Sequence, residues 1–310
     1  MKNSEIRKDY IQEKYVIIAP ARHNRPHDIE RPEVVNVHKK QCPFCPSQIN
    51  SRKDLLTLGP PNNWYVKVVG NDYPAVAINN PKAYGRSEIV IETSNHIDEL
   101  ENLPAEHIAH VFEAFANRIR DITTDKKIDY ISIFKNSGGK SGGTLKHAHS
   151  QIFATAFLPP NQLDKSQQEL AYRMEHGSCV YCDVISQEKK GPRFIWEDEN
   201  IIAFAPYASF KNYEVYIMPR RHLDNVSQLS PEERLSLATI LKDLLTQIGL
   251  LDLQYNFSFD QVIYDDDQHF CLKLEPTGNL WAGFQIGGDL QINPVPPEDA
   301  AKHYRKGLSI

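Results

Sequence analysis

The sequence lacks the features that mark membrane-spanning and exported proteins. No uninterrupted apolar run approaches the roughly 18 residues that a membrane-spanning helix needs, and the N-terminal segment MKNSEIRKDYIQEKY is charged throughout. A signal peptide would place an apolar stretch there. These absences predict a soluble protein of the cytoplasm.

A strong excess of charge of one sign is also missing. The formal net charge is −5 and charges of both signs are interspersed, which argues against a broad electrostatic grip on nucleic acid or on an anionic membrane. We therefore expect neither as a partner, although a local basic pocket for a phosphate is compatible with this balance. With 310 residues, 41% of them hydrophobic, the chain can bury a large core.

Cysteine is scarce, but its distribution is informative. Four of the five cysteines form two C-x-x-C pairs, Cys42 with Cys45 and Cys179 with Cys182. In a reducing compartment such pairs favour metal binding over structural disulfides. A single pair is equally compatible with a redox motif or with chance, so the metal interpretation requires histidine partners at matching places.

Alignment of the second C-x-x-C with the first shows a weak internal duplication of the chain. In the first half an alternating strand pattern contains Glu88, and His96 lies eight residues further on. In the second half Glu214 and His222 have the same spacing. Each histidine is followed by a helical pattern of apolar residues that begins near a proline, as is common in a first helical turn.

The order of patterns in each half predicts the fold class. Strand-like runs alternate with a period of two and are joined mostly without crossover helices, which favours antiparallel pairing over a doubly wound parallel sheet. We therefore predict an α+β protein built from two duplicated units, each an antiparallel sheet with one packed helix. The predicted domains are residues 1–165 and 166–310, and the segment PPNQLDKSQQEL is the expected link between them.

The duplication completes two sets of metal ligands. Thiolate and imidazole are the usual ligands of structural Zn²⁺, and four protein ligands leave no open position for a catalytic water. We predict two zinc ions per chain, with a bracing role. The first set is Cys42, Cys45, His96 and His147, and the second is Cys179, Cys182, His222 and His269.

His149 lies two residues beyond a predicted zinc ligand and directly after a glycine-rich loop. On a strand, His147, His149 and Gln151 share one face, so a metal that fixes His147 also orients His149. The loop residues from Ser141 to Thr144, which include Gly142, supply backbone amides and hydroxyls that approach a phosphate closely. An imidazole there is suited to attack phosphorus, although simple packing is the alternative for a lone histidine.

With these motifs assembled, the chain resembles the galactose-1-phosphate uridylyltransferase family, a branch of the histidine-triad superfamily. The resemblance rests on the stretches CPFC, HAHSQ and INPVPPEDAAK, supported by ARHNRP, GNDYPA and FKNSGG in the same order. It implies a ping-pong transfer in which His149 attacks the α-phosphorus of UDP-glucose and the uridylyl group then passes to galactose 1-phosphate. It also implies a homodimer whose active sites draw residues from both chains.

The resemblance assigns further residues, each by its place in a matching motif. Gln151 and Thr144 would hold the phosphoryl oxygens, and the backbone carbonyl of His147 would orient His149. The remaining assignments are Arg22 and Arg25 for phosphate, Asn71 and Asp72 for the nucleoside, Asn136 and Gly142 for the substrate, and Gln285 and Gln291 for the sugar.

Two departures from the family pattern keep alternatives open. Gln285 stands where the family has a glutamate that receives sugar hydroxyls. The second metal set resembles the zinc site of plant ADP-glucose phosphorylases, whereas the best-known uridylyltransferases hold iron there. An ADP-glucose phosphorylase that uses the same histidine is therefore the nearest alternative. A non-catalytic zinc scaffold that binds nucleotides and a histidine-triad hydrolase are the others.

Overall fold

Strands and helices follow one another in the same order in the two halves of the chain. The structure, a computed structural model, describes residues 4–24, 42–49, 54–60, 63–96, 99–263, 268–277 and 283–308. Its strands are β1 (Glu5–Lys8), β2 (Tyr15–Ile18), β3 (Asp54–Leu58), β4 (Val66–Gly70), β5 (Gly85–Ile91), β6 (Tyr130–Ser137), β7 (His149–Thr155), β8 (Phe194–Glu197), β9 (Ile201–Phe204), β10 (Val215–Pro219), β11 (Gln254–Val262), β12 (Leu272–Thr277) and β13 (Gln291–Asn293). Its helices are α1 (Pro46–Ile49), α2 (Ala105–Ile122), α3 (Pro160–His176), α4 (Val180–Glu188), α5 (Pro231–Leu250), α6 (Gly283–Gly288) and α7 (Pro297–Gly307).

Most strands belong to one antiparallel sheet with internal symmetry. Its order is β3-β4-β5-β7-β6-β11-β12-β10-β9-β8. The first five strands therefore repeat in reverse as the last five, and the two halves meet where β6 pairs with β11. This arrangement confirms the predicted α+β fold of duplicated antiparallel units. The predicted link between the units is helix α3, and the division at residue 165, which falls within α3, stays a prediction.

Helices α2 and α5 cover one face of this sheet and pack against each other. Both begin where the sequence predicted, since Pro104 is the N-cap of α2 and Ser230 forms a capping box with Glu233 at the start of α5. Their apolar faces are buried in the largest core cluster together with the strand residues beneath them. The predicted helical positions in this core are Ile108, Val111, Phe112, Phe115, Ile119, Ile122, Leu237, Ile240, Leu241, Leu244, Leu245 and Ile248.

The other face of the sheet is left to smaller clusters. Alternation along β7 sends Ile152 and Ala154 into the helix-covered core, so His149 and Gln151 lie on the opposite face. Two satellite clusters on that side surround the two cysteine pairs. A separate three-stranded sheet, in which β13 runs parallel to β2, completes the fold. Among the described residues, no helix combines the length and apolarity that a membrane crossing needs.

Candidate active site and metal centres

The first cysteine pair and its two histidines converge at one place. His96 follows β5 and His147 precedes β7, so the pairing of these strands brings the two histidines together. Cys42 and Cys45 precede the short helix α1 and pack in the same cluster as Ile91 of β5. The ligand atoms lie within 4.8 Å of one another and all four residues are buried. The sequence prediction of this set agrees with the geometry.

The distances in this cluster fit a tetrahedral zinc ion. The Nδ1 atom of His147 lies 3.6 Å from Cys42 Sγ and 3.7 Å from Cys45 Sγ, and Nδ1 of His96 lies 3.4 Å from Cys45 Sγ. Tetrahedral bonds of ordinary zinc lengths separate sulfur from nitrogen by roughly 3.6 Å. The other ring nitrogen of His147, Nε2, donates to the Thr93 carbonyl at 2.8 Å, which fixes the tautomer that a metal ligand needs.

The second cluster repeats this arrangement. Nδ1 of His269 lies 3.9 Å from Cys179 Sγ and 3.6 Å from Cys182 Sγ, and Nδ1 of His222 lies 3.8 Å from Cys182 Sγ. Nε2 of His269 donates to the Pro219 carbonyl at 3.1 Å, just as His147 donates to Thr93. This cluster is less buried than the first. The donor set and distances suit zinc here as well.

His149 is held by the backbone of its neighbour. Its Nδ1–H donates to the His147 carbonyl at 2.8 Å, and the ring of Phe44 lies against it with centroids 5.0 Å apart. Because a carbonyl only accepts, the proton sits on Nδ1 and the lone pair is on Nε2. Burial, followed by the charge of Lys135, lowers the pKa of His149 to about 4. The imidazole is therefore neutral at pH 7 and available as a nucleophile.

The glycine-rich loop between β6 and β7 is a tight turn bonded to itself. Ser141 and Gly143 donate their N–H groups to the Gly138 carbonyl at 3.3 and 2.9 Å, and Gly142 donates to Gly139 at 3.1 Å. Gly138 and Gly142 adopt φ of 84° and 92°, a region that favours glycine. These three amides are thus committed within the loop, in contrast to the sequence-based expectation that they face a phosphate.

The second half of the chain holds this loop in place. Gln254, at the start of β11, accepts from the Lys140 N–H at 2.6 Å. The Asn256 side-chain amide, oriented with its nitrogen toward acceptors, donates to Asn136 Oδ1 at 3.2 Å and to the Ser141 carbonyl at 3.0 Å. Asn136 is therefore tied to the loop beside His149, and its orientation depends on a strand from the other unit.

The predicted nucleoside-binding residues lie further along the same sheet. Asn71 follows β4 and donates to the Ser87 hydroxyl at 3.2 Å, and Ser87 lies opposite Phe153 on β7. Phe153 is four residues from His149, or about 13 Å along a strand. Asp72 and Thr144 are exposed, Asp72 next to Asn71 and Thr144 in the loop that leads to His149.

The remaining predicted residues lie elsewhere in the fold. Gln291 is buried in β13 of the three-stranded sheet, and Arg22 is exposed in the turn that follows β2 of the same sheet. Gln285 is buried in the short helix α6 just before β13. Arg25 lies outside the described residues. The elements that carry Arg22, Gln285 and Gln291 are thus not part of the ten-stranded sheet that carries His149.

Several residues near His149 were not found by sequence reasoning. Phe44 lies between the first two cysteines, so its closeness to the site was implicit in the motif. Glu92 and Lys135 form a buried ion pair, with Nζ and Oε2 2.7 Å apart. Charged residues at inward positions of apolar strands are the one sequence signal that points to them. Asn256 gave no signal, since its role depends on the pairing of β11 with β6.

Comparison with known proteins identifies the family. A family model described as galactose-1-phosphate uridyl transferase, N-terminal domain, matches residues 1–159. The chain belongs to the galactose-1-phosphate uridylyltransferase family. A galactose-1-phosphate uridylyltransferase from Thermotoga maritima is 28% identical over 97% of this chain and 98% of that protein. An ADP-glucose phosphorylase from Arabidopsis thaliana is 30% identical over 97% of this chain and 92% of that protein.

Solved structures of the family agree with the fold. The crystal structure of the Arabidopsis thaliana ADP-glucose phosphorylase with bound ADP-glucose superposes with a TM-score of 0.89 at 29% identity, covering 100% of both chains. A uridylyltransferase structure gives a TM-score of 0.75 at 27% identity and covers 98% of each chain. The family thus includes proteins with two named activities, uridylyl transfer and ADP-glucose phosphorolysis.

The second unit lacks a counterpart of His149. Cys271 follows His269 by two residues, as His149 follows His147, and Lys273 occupies the place of Gln151. Cys271 is buried in the satellite cluster beside Cys179, where Tyr10 and Ile11 also pack. Burial raises the pKa of its thiol to about 12. It is therefore a packed thiol rather than a nucleophile.

Proposed function

We propose that this protein transfers a nucleoside monophosphate from a nucleotide sugar to a phosphate-bearing acceptor through a nucleotidyl-His149 intermediate. The observation that carries the proposal is the geometry of His149, whose Nδ1–H is held by the His147 carbonyl at 2.8 Å. This bond leaves Nε2 as the nucleophile and fixes its direction. Membership of the uridylyltransferase family supports the same chemistry.

The reaction proceeds as two displacements at phosphorus. Nε2 of His149 forms a bond to the α-phosphorus, the bond from that phosphorus to the bridging oxygen breaks, and the sugar phosphate leaves with the bridging oxygen. An oxygen of the acceptor phosphate then attacks the same phosphorus and the bond to Nε2 breaks, which regenerates the neutral imidazole. Gln151, on the same face of β7, donates to the phosphoryl oxygens as charge develops on them.

The metal centres act on this chemistry only through structure. A zinc ion with four protein ligands braces its site and activates no water. Its ligand His147 supplies both a ring nitrogen to the cluster and the carbonyl that orients His149. The iron alternative for the second site is disfavoured by its donor set, because two thiolates and two imidazoles suit zinc.

Two donor and acceptor pairs are supported. The first is UDP-glucose with galactose 1-phosphate, the reaction of the family's uridylyltransferases. The second is ADP-glucose with inorganic phosphate, favoured by the higher TM-score to the ADP-glucose phosphorylase. Gln285 stands where the family has a glutamate that receives sugar hydroxyls. Inorganic phosphate carries no sugar, so the second pair does not need that carboxylate for its acceptor.

Covalent labelling tests both the chemistry and the base. The protein is incubated with UDP-glucose or ADP-glucose labelled on the α-phosphate and isolated under alkaline conditions. We expect one of the two labels to stay on the wild type and to be absent from His149→Ala. Chase with galactose 1-phosphate or inorganic phosphate then identifies the acceptor by the nucleotide released. Absence of label from both donors, with nucleotide binding seen by calorimetry, would instead support the non-catalytic scaffold.

We further propose that a second chain completes the site, as the family resemblance implies. Gln291 lies in the three-stranded sheet, Gln285 in the helix before its last strand and Arg22 in the turn after β2, whereas His149 lies in the ten-stranded sheet. In the proposed homodimer the partner supplies these residues. Mixing His149→Ala protein with Gln291→Ala protein tests this arrangement, because exchange of chains restores one intact site per mixed dimer. No recovery of activity in mixed dimers would show that each chain forms its site alone.

A further inference from the structure

A buried ion pair lies on the helix-covered side of the sheet, directly behind the strand that carries His149. Glu92 follows β5 and is fully buried, and Lys135 in β6 is 1% exposed. The Lys135 ammonium contacts Glu92 Oε2 at 2.7 Å and Glu99 Oε2 at 3.0 Å. This ion pair takes no part in the proposed chemistry, so its place behind the nucleophile needs an explanation.

Glu92 contacts the residues on both sides of His149. Its backbone N–H donates to the Ala148 carbonyl at 3.1 Å, and its carboxylate accepts from the Ser150 hydroxyl. Its own carbonyl accepts from Nε2 of His107, in helix α2, at 2.7 Å. One residue thus joins both neighbours of the nucleophile to the helix layer, while Lys135 holds its carboxylate in place.

A second buried ion pair, whose carboxylate lies in β5, provides a comparison. Arg118 of α2 binds the Glu88 carboxylate with two hydrogen bonds of 2.7 and 2.8 Å, and both residues are buried. Glu88 lies opposite Ile152, an apolar residue of the core. The two carboxylates lie on the same face, in β5 or directly after it, and both pairs are buried, but only the pair of Glu92 contacts residues next to His149.

Stability alone accounts poorly for such pairs. Replacing a buried ion pair with apolar residues of similar volume is often neutral or stabilising, because desolvation offsets the attraction between the charges. Position is a better explanation, since His149 is the first residue of β7 and follows a glycine-rich loop. Transfer to phosphorus is sensitive to misplacement, and an error of 1 Å can cost about 100-fold in rate.

We propose that Glu92 and Lys135 are positioning residues that fix the direction of His149 by clamping Ala148 and Ser150. The inference rests on the proposed function, because it concerns the rate at which His149 takes up the nucleotide. On one face of the sheet, the zinc cluster holds His149 through His147. On the opposite face, Glu92 holds His149 through Ala148 and Ser150.

The test measures the single-turnover rate of nucleotidyl-His149 formation with saturating labelled nucleotide sugar, using whichever donor labels the wild type. The double variant Glu92→Leu/Lys135→Met removes the side-chain part of the clamp, namely the carboxylate that accepts from Ser150 and the ammonium that holds it, and keeps the backbone bond to Ala148. We expect its rate to fall about 10- to 100-fold, while zinc content and the Kd for the nucleotide sugar stay near those of the wild type. The matched control Glu88→Leu/Arg118→Met should keep the wild-type rate, whatever its effect on Tm.

A conservative variant separates positioning from a general structural effect. Glu92→Gln/Lys135→Met keeps an acceptor for the Ser150 hydroxyl without the charges, so it should recover part of the lost rate. Ser150→Ala removes one hydroxyl group and should show a smaller loss in the same step, which keeps the test open if a double variant folds poorly. An unchanged rate in folded, zinc-loaded Ser150→Ala and Glu92→Leu/Lys135→Met, or equal slowing in the Glu88 control, would overturn the inference. Absence of any nucleotidyl-histidine in the wild type would refute the proposed function itself.

Discussion

At the scale of single residues, the site depends on two histidines with different tasks. His147 faces the cysteines through Nδ1 and donates from Nε2 to Thr93, whereas His149 donates from Nδ1 to the His147 carbonyl. The two imidazoles lie on the same face, but their nitrogens contact different groups. Substitution of His147 should therefore have a different consequence from substitution of His149.

We predict that His147→Ala loses both one metal ion and activity, and that His149→Ala loses activity alone. Removing a zinc ligand weakens binding strongly, so metal content should fall from about two ions per chain to about one. Elemental analysis beside the labelling assay measures both properties. Equal metal content in the two variants would contradict this division of roles.

A second prediction at this scale concerns Glu214, which is buried and accepts from the N–H groups of Phe210 and Lys211 at 2.5 and 3.1 Å. Burial, and then the charge of Glu275, raises the pKa of Glu214 from 4.5 to about 8. Between these values the folded state binds more protons than the unfolded state. Its contribution to stability is therefore full below pH 4.5 and is lost as the pH rises through 8.

Glu214→Gln should remove this contribution to the pH dependence. The free energy of unfolding of the wild type should fall more steeply between pH 5 and 8 than that of the variant, as measured by denaturant titration at several pH values. Protonation of the metal ligands in acid changes the free energy of unfolding in the opposite direction. This effect is the same in the wild type and in Glu214→Gln, so it cancels when the two are compared. The exposed Glu106→Gln is the control, and a wild-type slope no steeper than that of Glu214→Gln would refute the prediction.

At the scale of elements, the loop between β6 and β7 has little space for change. A Cβ added to Gly143 would lie 2.7 Å from the Asn136 carbonyl oxygen and 2.8 Å from that of Gly138. Both are backbone atoms, which cannot move aside as a flexible side chain can. The loop therefore has to shift, and Asn136 and His149 lie at its two ends.

We predict that Gly143→Ala destabilises the protein by about 1–3 kcal/mol, as overpacking commonly does, and slows nucleotide transfer. Gly249→Ala in α5 is the matched control, since nothing lies within 4 Å of its added Cβ and alanine favours the helix. Thermal unfolding and the labelling rate are the measurements. Wild-type values of both for Gly143→Ala would show that the loop tolerates a side chain.

The elements also show the limits of sequence patterns. The helices α2 and α5 and their prolines were predictable because apolar spacing and capping are local signals. The segment of helix α3 was predicted to be only a link between the units. In the structure it is a mostly polar helix in which Glu169 is the one buried residue. The hold of Gln254 and Asn256 on the loop was not predictable, because it joins strands more than 100 residues apart in sequence.

At the scale of the whole molecule, the two Cys/His clusters are placed where bound metal would brace both halves of a single sheet. Each cluster joins a segment before the first strand of its unit to the ends of two later elements. Metal that binds only the folded chain adds its binding free energy to stability.

We predict that chelation lowers Tm by about 10 °C or more, given several kcal/mol from bound zinc and roughly 2–4 °C per kcal/mol in domains of this size. Readdition of zinc, but not magnesium, should restore both Tm and activity. Differential scanning calorimetry before and after chelation is the measurement. An unchanged Tm after confirmed metal loss would remove the bracing role.

The sequence by itself determined the duplicated plan, the two ligand sets and the place of His149, because each is a local motif repeated at a fixed spacing. Tertiary structure alone decided what surrounds that histidine. The clamp of Glu92 and Lys135, the hold of Asn256 on the loop, and the placement of Gln291 and His149 in different sheets all depend on which strands become neighbours. Strand pairing joins residues far apart in the chain, and no local pattern specifies those contacts.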